Sequence, residues 1–284
     1  MSGRISVTLI TRNRPQFFIG CLSSLLSQSY TEWDLVIIDG SKPPLRSNQA
    51  VYFLLKVVHD NGHSLQMIND QSLGICQAWQ KGLELSSPDC EFGQRLEDDI
   101  WLHPDYLKHL HDIIITDEKI GAVGGLSPNA WNFSTIKAEE FKNYFYSWNG
   151  LIIPDDRQCC FIENPPEIYE VSHLHGLFLY RKRIVQEVGG FGTHMTRVGH
   201  RDETDLTLRM YFADYRLLVC PKAWLRHAEA MGGGSRDALT VEERTELQME
   251  DEARFQKRLH DWREKYPEKP FPVEIRRRNV SFVI

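Results

Sequence analysis

The sequence has no long apolar run. None of its hydrophobic segments approaches the about 18 residues typical of a membrane-spanning helix, and the N-terminus leads straight into a strand-like segment without a signal-peptide pattern. These absences predict a cytoplasmic protein without a transmembrane segment, and they leave peripheral attachment to a membrane open.

The sequence also lacks cysteine spacings typical of metal sites or disulfide scaffolds, and it lacks the common phosphate-binding motifs. The six cysteines show no CxxC spacing, and 284 residues are too many for a small disulfide scaffold, so we expect reduced thiols. No segment matches GxGxxG, and the triglycine at 232–234 lacks the lysine and the spacing of a P-loop. We interpret the triglycine as a hinge or lid.

An excess of positive charge is also absent. A net charge of -6 and a pI near 6.0 provide no overall field that would attract nucleic acid or an anionic membrane. The three arginines at 276–278 form a local basic cluster, which we interpret as a solvated tail. With 42% hydrophobic and 25% charged residues, the composition is that of a globular protein.

The first half of the sequence alternates buried strands with amphipathic helices. Apolar spacing predicts strands over 5–10, 35–38, 65–68, 92–96 and 120–125, and helices over 16–28, 75–85 and 104–116. This order predicts a mostly parallel, Rossmann-like α/β sheet flanked by helices. Ligands bind beyond the carboxyl ends of such strands, so we expect the loops that carry Thr11, Asp39 and Glu97 to surround one crevice.

The second half is less regular. Residues 127–166 are aromatic and aperiodic, and we interpret them as a long functional loop region or an insertion, with little regular structure in either case. The later pattern predicts a strand over 169–180 and a short helix that ends at 190. A second helix begins at about 202 and leads to a strand over 216–220. A charged helix over about 241–265 completes the chain, with Leu247, Phe255, Leu259 and Trp262 as apolar contacts.

Three consecutive carboxylates, Glu97, Asp98 and Asp99, follow one of the predicted strands. Such groups repel one another unless a cation or hydrogen bonds compensate. Carboxylate oxygens are hard ligands suited to Mg²⁺ or Mn²⁺, and such an ion can bridge the two phosphates of a nucleotide leaving group. An acidic loop in which Asp98 or Asp99 caps the following turn explains the run equally well.

Several segments, taken in order, resemble the family 2 glycosyltransferases of GT-A fold. They are residues 5–15, 36–41, 96–100 followed by 103–106, 188–191 and 202–209. The resemblance extends over roughly 5–227, and the combined order is far more specific than any single motif. It implies a metal-dependent enzyme that moves a sugar from a nucleotide-diphosphate sugar to an acceptor hydroxyl, with inversion at the sugar.

The resemblance implies which residues meet the donor. Thr11 and Asp39 match positions that contact the nucleoside, the aspartate touching the base. Arg12 and Asn13, which follow Thr11, are further candidates for donor binding. Gly74 belongs to a loop that family members place near the base. Local turn hydrogen bonds are the alternative role for Thr11 and Asp39.

The resemblance also implies a metal site. The acidic run matches the DxD motif, with Asp99 as the metal ligand and with Glu97 and Asp98 reaching ribose, sugar or metal-bound water. Glutamate in first place departs from the commoner aspartate. His227 lies where many GT-A enzymes have a histidine ligand, and imidazole beside carboxylates suits Mn²⁺ better than Mg²⁺.

For catalysis, the family has an acidic pair whose second member deprotonates the acceptor. The pair here is Asp202 and Glu203, in reversed order, so Glu203 is the candidate base, and Asp202 either binds the acceptor or is itself the base. Acidic residues also favour the first turn of a helix for purely structural reasons. For His173 and His175 we favour a structural role, with His175 as an alternative lining residue of the acceptor pocket.

The resulting prediction has Mn²⁺ or Mg²⁺ as cofactor, a UDP-sugar as the favoured donor, and a glycan, lipid-linked sugar, protein or modified nucleic acid as acceptor. We expect a GT-A domain over 1–234, with a nucleotide-binding half at about 1–126 and an acceptor-binding half at about 127–234. Residues 235–284 would form a C-terminal helix and basic tail. The alternatives are a nucleotidyltransferase, against which the segment 11–15 argues because it is not rich in glycine and lysine, and a non-catalytic nucleotide-sugar-binding protein.

Overall fold

The computed structural model describes residues 3–127, 135–137, 145–148, 151–154, 161–163, 168–174, 176–228, 232–234 and 239–269. Its strands are β1 (Ile5–Thr11), β2 (Trp33–Asp39), β3 (Leu65–Asn69), β4 (Phe92–Glu97), β5 (Ile100–Leu102), β6 (Ile120–Leu126), β7 (Thr135–Lys137), β8 (Phe145–Trp148), β9 (Leu151–Pro154), β10 (Phe161–Glu163), β11 (Tyr169–Val171), β12 (Phe178–Arg181) and β13 (Arg216–His227). Its α-helices are α1 (Pro15–Leu26), α2 (Gln49–Asp60), α3 (Ile75–Leu85), α4 (Tyr106–Ile114), α5 (Lys182–Glu187), α6 (Asp202–Phe212) and α7 (Val241–Lys265), and a short 3-10 helix spans Leu45–Ser47.

One mixed sheet forms the centre of the protein, in the order β11-β13-β6-β12-β4-β1-β2-β3, with β5 paired to the far end of β13. Strands β1 to β4 run parallel, as do β6 and β13, whereas β12 lies antiparallel between β4 and β6. The predicted α/β class is therefore confirmed, and the sheet is more mixed than predicted because β12 enters its middle from the second half of the chain.

Apolar side chains cover both faces of this sheet. Helices α1, α2 and α4 pack on one face through Phe18, Val51, Leu107 and their neighbours. Helices α3, α5 and α6 pack on the other. Strand β2 is buried along its whole length, which is the pattern of a central strand covered on both sides. None of the helices in the described part of the chain combines the length and apolar composition needed to cross a bilayer.

Two strand predictions need correction. The strand predicted over 169–180 is two short strands, β11 and β12, which occupy different places in the sheet. The chain turns between them through Gly176, whose φ of +51° is disfavoured for residues with a Cβ. The strand predicted over 216–220 continues to His227, because its far end pairs with β5.

The aromatic segment at 127–166 contains regular structure that was not predicted. Strands β7 and β10 pair in parallel, and β8 and β9 pair antiparallel, each as a two-stranded sheet. The remainder of this segment, including Trp131 and Tyr144, and the arginines at 276–278 lie outside the described residues.

Helix α7 begins at a capping box. The Thr240 hydroxyl accepts a hydrogen bond from the Glu243 amide at 3.1 Å, and the Glu243 carboxylate accepts one from the Thr240 amide at 2.8 Å. Phe255 and Leu259 are buried against Leu208 and Phe212 of α6, so the helix shares a core with the rest of the protein.

Candidate active site

The carboxyl ends of the parallel strands place the predicted donor residues at one edge of the sheet. In the ladder of β1 and β2, Thr11 pairs with Asp39, and in the ladder of β1 and β4, Ile10 pairs with Glu97. Residues that are far apart in the sequence therefore become neighbours because parallel strands end together.

Glu97, Asp99 and His227 form a cluster with the chemistry of a metal site. One ligand atom of each lies within 4.8 Å of the others, and His227 Nε2 is 3.4 Å from Asp99 Oδ2. His227 reaches this position because it pairs with Ile100 in the ladder of β5 and β13. Burial and the adjacent Asp99 carboxylate raise the pKa of Glu97. Two carboxylates and an imidazole fit a divalent cation, Mn²⁺ better than Mg²⁺.

Asp98 faces a different set of partners. Its Oδ2 accepts a hydrogen bond from Thr11 Oγ1 at 2.8 Å, and its Oδ1 lies 3.2 Å from Arg14 Nη1. The same Arg14 nitrogen is 3.1 Å from Asp99 Oδ2, so one guanidinium reduces the repulsion between the two aspartates. Burial raises the pKa of Asp98 to about 6, although Thr11 and Arg14 oppose the shift.

Arg14 also connects the acidic run to the triglycine. Its Nε donates to the Gly232 carbonyl at 2.8 Å and its Nη2 to the Gly233 carbonyl at 3.1 Å. Gly233 and Gly234 have φ values of +75° and +69°, which only glycine adopts readily. The segment predicted as a hinge or lid thus lies beside the metal cluster.

Asp39 is fully buried, and both oxygens of its carboxylate accept hydrogen bonds from other groups of the protein. Oδ1 accepts from the Ser41 amide at 2.8 Å, and Oδ2 accepts from the Leu45 amide at 2.7 Å and from Asn69 Nδ2 at 3.0 Å. These hydrogen bonds match the alternative role of Asp39, which is to stabilise its own turn. The contact of Asp39 with the nucleotide base stays a prediction. Asn13 plays a similar part, since its Oδ1 accepts from the Lys42 amide at 2.9 Å.

A cavity of about 220 Å³ opens at this edge of the sheet. Most of the predicted donor residues line it, together with several that were not predicted: Thr11, Arg12, Arg14, Gly40, Asp70, Gly74, Glu97, Asp98, Asp99, Arg197 and His227. Asp39 and Asn13 are not among its lining residues. The cavity combines an acidic end at the metal cluster with the basic side chains Arg12, Arg14 and Arg197.

Position 74 requires a glycine because the backbone of Arg197 approaches it closely. A Cβ there would lie 2.5 Å from Arg197 Cα, and the neighbouring Ile75 amide donates to the Arg197 carbonyl at 3.1 Å.

We expect Gly74→Ala to lower the melting temperature and raise the KM for the donor, because overpacking costs about 1–3 kcal/mol and displaces the cavity wall. Gly20→Ala in α1 is the matched control, since its Cβ would meet nothing within 4 Å and helix propensity favours alanine. Equal melting temperatures and donor KM values for the two variants would contradict this assignment.

Asp202 and Glu203 open helix α6 on the other side of the cluster. Asp202 is buried, and its Oδ2 accepts from Arg95 Nη2 at 2.9 Å. Arg95 is itself buried, with its guanidinium 4.4 Å from the ring centre of Trp79. Burial raises the pKa of Asp202, and the Glu203 carboxylate adds to the shift. Glu203 is partly exposed and therefore more accessible than Asp202.

A second cavity of about 210 Å³ contains both members of this acidic pair. Its walls include Arg95, Asp202, Glu203, Gly124 and Gly176. Glu97 and His227 line this cavity as well as the first one. The metal cluster is therefore the junction between a cavity with basic side chains and a cavity with a carboxylate pair.

The sequence model of Glycosyl transferase family 2 matches residues 6–188, which is more than half of the chain. The chain belongs to this family. No curated protein sequence matches the chain.

Solved structures share the fold at low identity. The mannosyltransferase PcManGT from Pyrobaculum calidifontis, in complex with GDP-Man and Mn²⁺, has a TM-score of 0.58 at 16% identity, covering 80% of this chain and 57% of its own. GalNAc-T7 with UDP, GalNAc and Mn²⁺ has a TM-score of 0.63 at 13% identity, covering 79% and 43%. S. aureus TarS has a TM-score of 0.54 at 16% identity, covering 79% and 36%. The predicted GT-A fold is confirmed, and this chain spans only about half the length of these structures or less.

Within this family 2 domain, several residues of the site received no role from the sequence, among them Arg14, Arg95 and Asp70. Arg14 lies in the first segment of the resemblance, 5–15. Arg95 stands two residues before Glu97, and Asp70 follows β3. An arginine inside an apolar strand is a usable signal, because it requires a buried carboxylate partner. Its partner, Asp202, is 107 residues away and cannot be paired from spacing.

The structure describes one of the two histidines of the predicted strand. His173 is buried between β11 and β12, with Nδ1 2.9 Å from the Leu174 carbonyl oxygen. His175 lies outside the described residues.

Proposed function

We propose that this family 2 chain transfers a glycosyl group from a nucleotide-diphosphate sugar to an acceptor hydroxyl, with inversion at the anomeric carbon. The observation that carries the proposal is the shared wall of the two cavities, in which Glu97 and His227 face both sides. A donor in the first cavity would place its diphosphate at the metal cluster. An acceptor in the second cavity would meet Glu203 and Asp202.

On the donor side, Asp99, His227 and Glu97 would hold Mn²⁺ or Mg²⁺. When bound, such a cation supplies charge stabilisation to the departing diphosphate. Arg12, Arg14 and Arg197 line the same cavity and bring positive charge to a ligand with two phosphates. Two of the structural neighbours were solved with nucleotides and Mn²⁺, one with GDP-Man and one with UDP and GalNAc, so a UDP-sugar is only the first donor to test.

On the acceptor side, we assign the base to Glu203. Its carboxylate would take the proton of the acceptor hydroxyl as that oxygen forms a bond to the anomeric carbon. The bond from this carbon to the phosphate oxygen breaks, and the electron pair leaves with the diphosphate. Asp202 is less suited to the role, because its Oδ2 is held by Arg95 at 2.9 Å. We assign Asp202 to orienting the start of α6 and the acceptor.

Donor binding is tested by thermal melting with a panel of UDP- and GDP-sugars, each with and without Mn²⁺. A donor at a hundred times its Kd stabilises the folded state by about 2.7 kcal/mol, which raises the Tm by several degrees. We expect a rise that requires both nucleotide and Mn²⁺, and Asp112→Asn as a surface control should behave like the unaltered protein. No rise with any donor would contradict the proposal.

The stereochemical part has its own test. Proton NMR of the first product formed should show the anomeric configuration opposite to that of the donor. The nature of the acceptor, a cytoplasmic location and the division into 1–234 and 235–284 stay predictions.

A further inference from the structure

The segment 192–201 lines the first cavity through Arg197 and leads into α6, whose first two residues line the second cavity. Arg197 lines the first cavity, and its carbonyl accepts from the Ile75 amide at 3.1 Å. The Gly199 carbonyl accepts from the amide of Asp202, the first residue of α6, at 3.2 Å. The conformation of this segment therefore determines where α6 starts and where the carboxylate of Glu203 lies.

Part of this backbone is unfavourable by itself. Gly199 has a φ of +63°, and Arg201 has a φ of +71°. A left-handed conformation suits glycine but is disfavoured for arginine, which has a Cβ, so contacts from the surroundings must maintain it.

Asp251 of helix α7 supplies the central contacts. The residue is fully buried, and all three of its hydrogen-bond donors belong to the segment. Oδ1 accepts from the Thr196 amide at 2.6 Å, and Oδ2 accepts from the Thr196 hydroxyl at 2.7 Å and from the His200 amide at 2.9 Å. Hydrogen bonds to a charged acceptor are stronger than those between neutral groups.

Other residues of α7 contact the C-terminal end of the segment and the first turn of α6. Glu252 accepts from Arg201 Nε at 2.9 Å, next to the acidic pair. Arg258 Nε lies 2.8 Å from Oδ1 of Asp205, one turn into α6. The helix predicted as an appendage thus contacts the segment and the start of α6 through several of its residues.

We propose that Asp251 is a positioning residue, which holds the segment 192–201 so that Glu203 is placed to accept the proton of the acceptor. This inference rests on the proposed function, in which Glu203 is the base. Misplacement of a reacting group by about 1 Å lowers rates by roughly a hundredfold in enzymes, so loss of these contacts reduces kcat without removing the base itself.

Asp251→Asn tests the proposal. An asparagine keeps the size of the side chain but places an N–H against either the Thr196 amide or the His200 amide, so one backbone donor loses its acceptor. We expect kcat to fall by at least about tenfold, measured below the melting temperature, while the Kd for nucleotide diphosphate with Mn²⁺ changes by less than about threefold.

Asp34→Asn is the matched control. Asp34 is also buried and accepts from the Ser64 amide at 3.1 Å and from Arg4 Nη2 at 2.9 Å, but it lies near the start of β2, at the opposite edge of the sheet. This variant should lose stability and keep its kcat within about twofold of the unaltered protein. An equal loss of kcat in both variants would overturn the positioning role.

A double-mutant cycle with Glu203→Gln separates this inference from the proposed function. If Asp251 acts through Glu203, Asp251→Asn lowers kcat no further in the Glu203→Gln background. Additive losses, or full activity of Asp251→Asn beside an impaired Glu203→Gln, overturn the positioning role alone. Full activity of Glu203→Gln overturns the base assignment instead.

Two further measurements test the proposal even if Asp251→Asn does not fold. Thr196→Val removes the hydroxyl, which donates to Asp251 at 2.7 Å and accepts from the Val198 amide at 3.3 Å, and leaves the backbone contacts of Asp251 in place; we expect a loss in kcat of about threefold. Hydrogen-exchange mass spectrometry needs no activity, and it should show faster exchange over 196–204 in this variant. Unchanged exchange and unchanged kcat would together overturn the proposal.

Discussion

Replacing Glu203 by glutamine should lower kcat by about 10²–10⁴-fold, which is the usual contribution of a positioned general base. Glutamine keeps the size of the side chain and cannot accept the acceptor proton. Donor affinity should change little, because Glu203 lines the second cavity and not the first. The measurements are initial rates at saturating donor and acceptor, together with the Kd for the donor with Mn²⁺.

Glu246→Gln is the control for this experiment, since Glu246 is an exposed residue of α7. Asp202→Asn gives the complementary information. It should lower the melting temperature, because buried Arg95 loses the carboxylate that accepts its hydrogen bond. Retention of activity in Glu203→Gln together with its loss in a folded Asp202→Asn would transfer the role of base to Asp202.

Replacing Asp99 by asparagine should lower kcat/KM by on the order of a hundredfold or more, because the cation contributes several kcal/mol of charge stabilisation. The amide carries no negative charge, so the affinity for Mn²⁺ should fall as well. Calorimetric titration with Mn²⁺ and rates after treatment with a chelator measure both effects. Activity that survives complete metal removal would contradict the metal assignment.

The neighbouring carboxylates provide a sharper test of the geometry. Glu97 belongs to the cluster with Asp99 and His227, whereas Asp98 is bonded to Thr11 and Arg14. Glu97→Gln should therefore weaken Mn²⁺ binding more than Asp98→Asn does. The reverse order would show that the acidic run rearranges when the cation binds.

Elements with a strong local pattern were predicted well. The bounds of α3 and α7 agree with the predicted ranges 75–85 and 241–265, because apolar residues at helical spacing recur throughout both helices. Helix α2 was not predicted, although Val51, Leu55 and Val58 have helical spacing and are buried. Strands β5 and β7 to β10 have only three or four residues each, too few to carry a readable periodicity.

The spacing of apolar residues determined the α/β class, and the order of short motifs along the chain determined the family and a short set of candidate residues. These properties depend on local pattern and on motifs that are contiguous in sequence. Only the tertiary structure decided how the acidic run is divided, with Glu97 and Asp99 at the metal cluster and Asp98 against Arg14. It also decided that Asp39 is enclosed by its own turn, that Arg95 meets Asp202, and that Asp251 reaches Thr196. These contacts depend on how β13 and α7 return to the first half of the sheet, and pairing across such distances is set by packing, which no local spacing encodes.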